Sequence, residues 1–298
     1  MAKFDIVPEW EDYLKRLQTL EFNIQNDTGK AGIIDETVQK YANNPAFYTS
    51  FAYQNQLLKE LKEYLAELTA QTRNAGKLMS KRAMQKFLDS SERAQRTDKA
   101  LAALDQLSDR QAARRLDIYF ADLEKNFGVM RADIEIYKRN ATVSGVTAKQ
   151  SIKDIVQRTK AGETLAFGFN RSAKRVAIDS ARREAQESAF EEYRKVAKAK
   201  EKWVWVAISG KPCPDCTARA GVVLPLPMWK KKGVPGSGKT ICRASCKCQL
   251  IPVSVAEDQL EDIREFKWDK EKTVLTTFRD ARTFAAKSNS LEENVKKK

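Results

Sequence analysis

Between Pro45 and Pro212 the chain contains no proline, and six of its eight prolines then crowd into residues 210–252 with five of its twelve glycines. Proline inside a helix costs about 3 kcal/mol or more, so the long gap permits helices and the later cluster forbids them. The expected fold is mainly α (α+β): an elongated helical body, a small loop-rich cysteine module containing short β-strands, then a helical tail. The boundaries fall at 1–145 for an N-terminal helical region, 146–202 for a helical connector, 203–253 for the cysteine module and 254–298 for the tail.

Apolar residues recur at helical spacing through the body. Trp10, Tyr13, Leu14, Leu17 and Leu20 follow Pro8, which suits a first helical turn, and give a helix over 8–21. Phe51, Leu57, Leu58, Leu61, Leu65 and Leu68 form one stripe of a helix from Pro45 to Thr72. Further helices are expected over 77–107, 109–127 and 130–139, ended by Gly76 and Gly128. Thr147 with Gln150 reads as a capping box for a helix over 148–160 that stops at Gly162. A helix over 172–200 carries the small-residue stripe Ala181, Ala185 and Ala189 beside Val176, Ile178, Tyr193 and Val196. The longest uncharged apolar stretches fall far short of the roughly 20 residues needed to span a bilayer, and the first ten residues carry no apolar signal core, so residence in a cytoplasm is expected.

The texture changes at Trp203-Val-Trp-Val-Ala-Ile-Ser-Gly210, whose alternating aromatic and β-branched residues read as a strand. Cys213-Pro-Asp-Cys216 follows, and Cys242, Cys246 and Cys248 come after 25 intervening residues. All five cysteines of the chain lie here. A Cys-x-x-Cys turn aims two sulfurs at one point, and in a strand Cys246 and Cys248 would face the same way. Four ligands can thus be drawn from Cys213, Cys216, Cys242, Cys246 and Cys248, for a structural Zn²⁺; disulfides or free thiols are the alternatives. The chain has no histidine, which excludes imidazole as base, nucleophile or ligand. From Cys216 to Ala256 there are seven basic residues and no acidic one, a balance that suits a thiolate–zinc cluster of net negative charge or a surface facing phosphate. Lys230, Lys231, Lys232, Lys239, Arg243 and Lys247 are the candidate nucleic-acid contacts, and the formal charge of +14 favours an anionic partner.

Gly233-Val-Pro-Gly-Ser-Gly-Lys239-Thr240 satisfies the phosphate-cradling P-loop pattern. Its flanks do not. A P-loop needs a buried strand before it and a helix after it, whereas Lys230-Lys-Lys precedes this one and cysteines follow. Acidic pairs such as Glu191-Glu192 read as solvated helix charge, and no catalytic residue is expected.

The order of these parts resembles the C-terminal module of phage minor head proteins, the Mu F-like, SPP1-type head morphogenesis family. The similarity rests on Arg182-Arg-Glu184 in a long helix, the Trp203-led strand, Cys213-Pro-Asp-Cys216, Ala220-Gly-Val-Val-Leu224, Pro235, and Cys246-Lys-Cys248-Gln-Leu-Ile-Pro252. It covers about residues 150–255. Family members commonly place a histidine shortly before the Cys-x-Cys; here Cys242 stands near that place. The resemblance implies a structural, non-enzymatic virion protein that associates with portal protein or major capsid protein in the capsid interior or at the portal vertex, with packaged DNA as a non-specific contact, and no membrane. A zinc-ribbon nucleic-acid-binding protein and a P-loop nucleotidase are the competing readings.

Overall fold

The computed structural model of the chain describes residues 8–26, 33–90, 98–161, 165–197, 200–206, 213–237, 239–242, 246 and 248–254. The fold is mainly helical with one small antiparallel sheet. In chain order come α1 (Pro8–Asn26), α2 (Ile33–Ala42), a 3-10 turn (Pro45–Tyr48), α3 (Phe51–Ser90), α4 (Asp98–Val143), α5 (Ala148–Lys160) and α6 (Leu165–Val196). They are followed by β1 (Lys202–Val206), α7 (Pro214–Arg219), β2 (Val223–Pro225), α8 (Leu226–Lys232) and β3 (Gln249–Pro252). The tail expected after residue 254, the end of the strand at 207–210 and Gly162 lie outside the described residues.

Two expected helix ends are corrected. Gly76 and Gly128 sit inside α3 and α4, which run for 40 and 46 residues. Glycine in a helix interior costs only about 1 kcal/mol, and the flanking turns of both helices bury enough apolar surface to override it. The proline cluster also admits helices that its composition argued against. α7 and α8 each carry proline in the first turn, where a missing N–H breaks no hydrogen bond. Thr147 does cap α5, its hydroxyl oxygen accepting the Gln150 N–H at 3.2 Å.

The chain divides into two compact units, each discontinuous in sequence. One comprises residues 15–71 and 109–181, the other residues 1–14, 72–108 and 182–298. The first is a helical unit with a continuous apolar core. Leu57, Leu61, Leu65 and Leu68 of α3 bury one stripe, and Tyr119, Leu123, Phe127, Met130 and Ile134 of α4 bury another, both at steps of three and four. Ile24 of α1, Ile34, Val38, Tyr41 and Ala42 of α2, Phe47 and Tyr48, Ile155 and Val156 of α5, and Phe169, Ala173, Ala177 and Ala181 of α6 complete it. Tyr48 ties the turn to α5, its hydroxyl lying 3.0 Å from that of Thr159. Phe51, expected on the α3 stripe, is instead solvent-exposed, with the Arg131 guanidinium over its ring at 4.3 Å.

The second unit holds the sheet, in the order β2-β1-β3 with both pairings antiparallel. Trp203 opposes Leu224 and Pro252, and Trp205 opposes Leu250. Residues 203–206 of the central strand are all buried, so both of its faces are covered. Ala185, Ala189 and Tyr193 of α6 are buried in this unit, and Phe190 packs its ring 5.1 Å from that of Trp203. Glu191 and Glu192, expected as solvated charge, are instead buried, and an ion pair between the half-buried Arg73 and Glu191, bridged by the Ser108 hydroxyl, links α3, α4 and α6 here.

Candidate metal centre

The local chain path explains why five sulfurs converge. Cys213 takes the N-cap position of α7 with extended backbone, and Pro214 starts the helix, so Cys216 follows within one turn. The Cys213 carbonyl accepts the Thr217 N–H at 2.9 Å, closing that turn. Cys246 and Cys248 immediately precede β3, whose pairing with β1 fixes their position. Cys242 is placed by Asp215: the Ile241 N–H donates to Asp215 Oδ2 at 2.8 Å, joining the α7 turn to the Cys242 loop.

Cys216 Sγ lies 3.5 Å from Cys242 Sγ and 3.6 Å from Cys246 Sγ. The five form two close sets, Cys213/Cys216/Cys242 and Cys216/Cys246/Cys248, with the sulfurs of each set within 4.8 Å of one another. None is in a disulfide. A disulfide would bring two sulfurs to about 2.05 Å, whereas four sulfurs around a tetrahedral ion with bonds near 2.3 Å are separated by about 3.8 Å. The observed separations fit the metal geometry and not the covalent one. Sulfur donors in such an arrangement suit soft or borderline ions, Zn²⁺ foremost.

Electrostatics point the same way. Cys216, Cys246 and Cys248 are buried, and Cys213 and Cys242 are half-buried. With Cys242, Cys246 and Cys248 around it, and buried itself, Cys216 holds its proton well above the usual thiol range. Thiol hydrogen bonds from Cys216 and Cys246 bring Cys248 down to about 5 against the effect of burial, and those from Cys216 and Cys242 lower Cys246. Burial raises Cys213. The Trp205 indole N–H is buried with no partner of ordinary hydrogen-bond geometry, yet lies near enough to Cys248 to favour its thiolate. Sulfurs that share protons in this way are poised to exchange them for one divalent cation.

Several residues support the cluster without offering it a ligand. Arg219, counted among the basic residues of the module, is buried: its guanidinium donates to the Gly233 carbonyl at 3.0 Å and lies over the Trp205 ring at 5.1 Å. Trp229 donates its indole N–H to the Trp203 carbonyl at 2.8 Å. Gln186 of α6 donates to the Cys248 carbonyl at 3.4 Å, and Gly236, with φ of 73°, packs so closely that a Cβ there would meet Gln186 Oε1 at 2.5 Å. Sequence reasoning passed over Asp215, Gln186 and Trp229. The one signal it offered was Asp215, an acid inside the Cys-x-x-Cys turn.

The basic candidates divide. Lys230, Lys231 and Lys239 are exposed, and Lys232 is half-buried with its pKa lowered by burial and then by Arg219 and Lys231. Arg243 and Lys247 lie outside the described residues. In the P-loop-like stretch, Lys239 Nζ donates to the Lys231 carbonyl at 3.0 Å, and the buried Thr240 hydroxyl lies 3.3 Å from Cys242 Sγ. The helix α8, not a strand, precedes it. Its two phosphate-binding side chains are thus engaged with their own chain.

Among the described residues no helix is long and apolar enough to cross a membrane. Compared with known proteins, the chain matches no family model, no curated protein and no solved structure.

Proposed function

We propose that this chain is a structural, non-enzymatic component of a phage head, associated with portal protein or major capsid protein, whose cysteine module is closed by one structural Zn²⁺. The observation that carries the reading is the convergence of Cys213, Cys216, Cys242, Cys246 and Cys248 beside a Trp-led strand that packs on a long helix, the order of parts by which the sequence resembles head morphogenesis proteins. Four sulfur ligands leave no open position for water or substrate, so the ion supplies rigidity and no hydrolytic chemistry.

Two surfaces support the partners named. In the helical unit Ile118, Val129 and Ile136 of α4 are each about half exposed and are spaced by 11 and 7 residues, close to whole helical turns, which sets them on one face open to a protein. In the module Lys230, Lys231 and Lys239 offer exposed positive charge to packaged DNA in the capsid interior.

The test is co-sedimentation with assembled heads. The chain is expected in the head fraction of infected cells at low copy number and to bind purified portal or capsid protein; its absence from heads overturns the reading. DNA affinity, where measured, is expected to be independent of sequence and to fall steeply with salt. Neutralising Lys230, Lys231 and Lys239 should make the slope of log K against log salt shallower by about 0.9 for each phosphate that is no longer paired with a lysine. A strong preference for one sequence would favour a zinc-ribbon regulator instead.

A further inference from the structure

One side of α4 fills the helical core with Tyr119, Leu123, Phe127, Met130 and Ile134. The opposite side carries a second row, Ile118, Asp122, Lys125, Val129, Ala132, Ile136, Arg139 and Val143, and all of these residues are exposed. Steps of four and three alternate along the whole row. A spacing of about 3.5 residues is the seam by which one helix lies along another, and this one runs for about 38 Å. Ile118, Val129, Ile136 and Val143 give it large apolar side chains at both ends and near the centre, each about half exposed or more.

Read backwards, the row is its own complement. Against an antiparallel copy centred between Val129 and Ala132, Ile118 meets Val143, Asp122 meets Arg139, Lys125 lays its alkyl stem on Ile136, and Val129 meets Ala132. Each of these rungs occurs twice about the two-fold axis. A parallel copy would set Asp122 against Asp122 and Arg139 against Arg139, and an antiparallel copy slipped by one heptad would part Asp122 from Arg139. Gly128 is an independent observation. It is exposed beside Val129 in the interior of α4, its φ is not positive, and a Cβ there would meet nothing within 4 Å. The fold of a single chain therefore gives no reason for glycine at this place, whereas a second helix approaching the row does.

We propose that two copies of the chain pair antiparallel through this row of α4. The apolar rungs supply the affinity, and the Asp122–Arg139 pairs fix direction and register. The pairing does not depend on the head-protein reading; where that reading holds, portal or capsid protein reaches this face by displacing the second copy.

The full chain, kept reduced, is followed by analytical ultracentrifugation over a range of concentrations. A reversible monomer–dimer equilibrium is expected, with a dissociation constant on the order of 10 µM, as suits one helix pair smaller than a permanent interface. A chain that stays monomeric at about ten times that concentration overturns the proposal and leaves the face to a different protein. Val129→Glu combined with Ile136→Glu should leave only monomer, with the helical circular dichroism unchanged because both positions are exposed. Asp122→Arg and Arg139→Asp should each weaken pairing about tenfold, and the two exchanges in one chain should restore it. A dimer that survives the two glutamates, single exchanges without effect, or a double exchange that fails to restore pairing overturns the antiparallel seam. Co-sedimentation with heads is a separate readout. A chain that dimerises but is absent from heads removes the head-protein reading and keeps the pairing, and a monomeric chain found in heads does the reverse.

Discussion

The two units solve the same problem by different means. The helical unit closes around more than twenty buried apolar side chains drawn from six helices and a turn, and the buried hydroxyls of Tyr48 and Thr159 meet within it. Among its described residues the module has three short strands and two helices of six and seven residues, little regular structure from which to close a core. It is held by Trp203, Trp205 and Trp229, by α6 through Phe190 and Gln186, and by the sulfur cluster. One part of the molecule is stabilised by area removed from water and the other by a few specific bonds, and perturbations should separate them.

The largest separation is expected from chelation. Structural zinc contributes on the order of 10 kcal/mol to a small site, so a strong chelator under reducing conditions should unfold the module. Tryptophan emission should shift to the red as Trp203, Trp205 and Trp229 meet water, while most of the far-UV helical signal persists. Loss of both signals together would make the two parts a single cooperative unit. The converse perturbation is Phe127→Ala, which empties a fully buried site in the helical core. It should cost about 3–5 kcal/mol in urea unfolding and leave the bound Zn²⁺ per chain unchanged.

A smaller effect is expected where the module meets α6. Gly236→Ala places a Cβ against Gln186 Oε1 in a backbone conformation that disfavours side chains, at a cost of about 1–2 kcal/mol. Faster metal release, measured with a chromophoric chelator, should accompany it; an unchanged rate would mean that Gln186 does not steady the Cys248 segment. The smallest effect is electrostatic. Lys195 donates to Asp105 and to Glu192, and holds the Asp105 carboxyl below its usual range. A depressed carboxyl pKa stabilises the fold above about pH 4, and that contribution fades as pH falls through the folded value. Asp105 is half exposed, so Asp105→Asn should cost less than about 1 kcal/mol at neutral pH and nothing in acid. A loss that persists in acid would point to packing.

Much of this contrast could be read from the chain. The proline gap and the leucine spacing of α3 marked the helical core, because periodic apolar residues without breakers leave few other structures. Helix ends were read less well, since a single glycine at 76 or 128 weighs little against the packing on either side. Clustering of the cysteines foretold that their sulfurs meet. Two things were hidden: that Arg219 turns inward, and that Gln186 and Asp215 hold the site. Such roles depend on hydrogen bonds between residues 14 to 62 positions apart, which no local pattern encodes. α7 and α8 were missed because proline was weighed as a breaker without regard to its place in the first turn.

Zinc X-ray absorption on the intact, reduced chain tests the sulfur centre most directly. About one Zn²⁺ per chain with four sulfur neighbours near 2.3 Å, and no oxygen or nitrogen in the coordination sphere, is the expected result. A stable, folded chain without metal, or a zinc environment containing water, would contradict it.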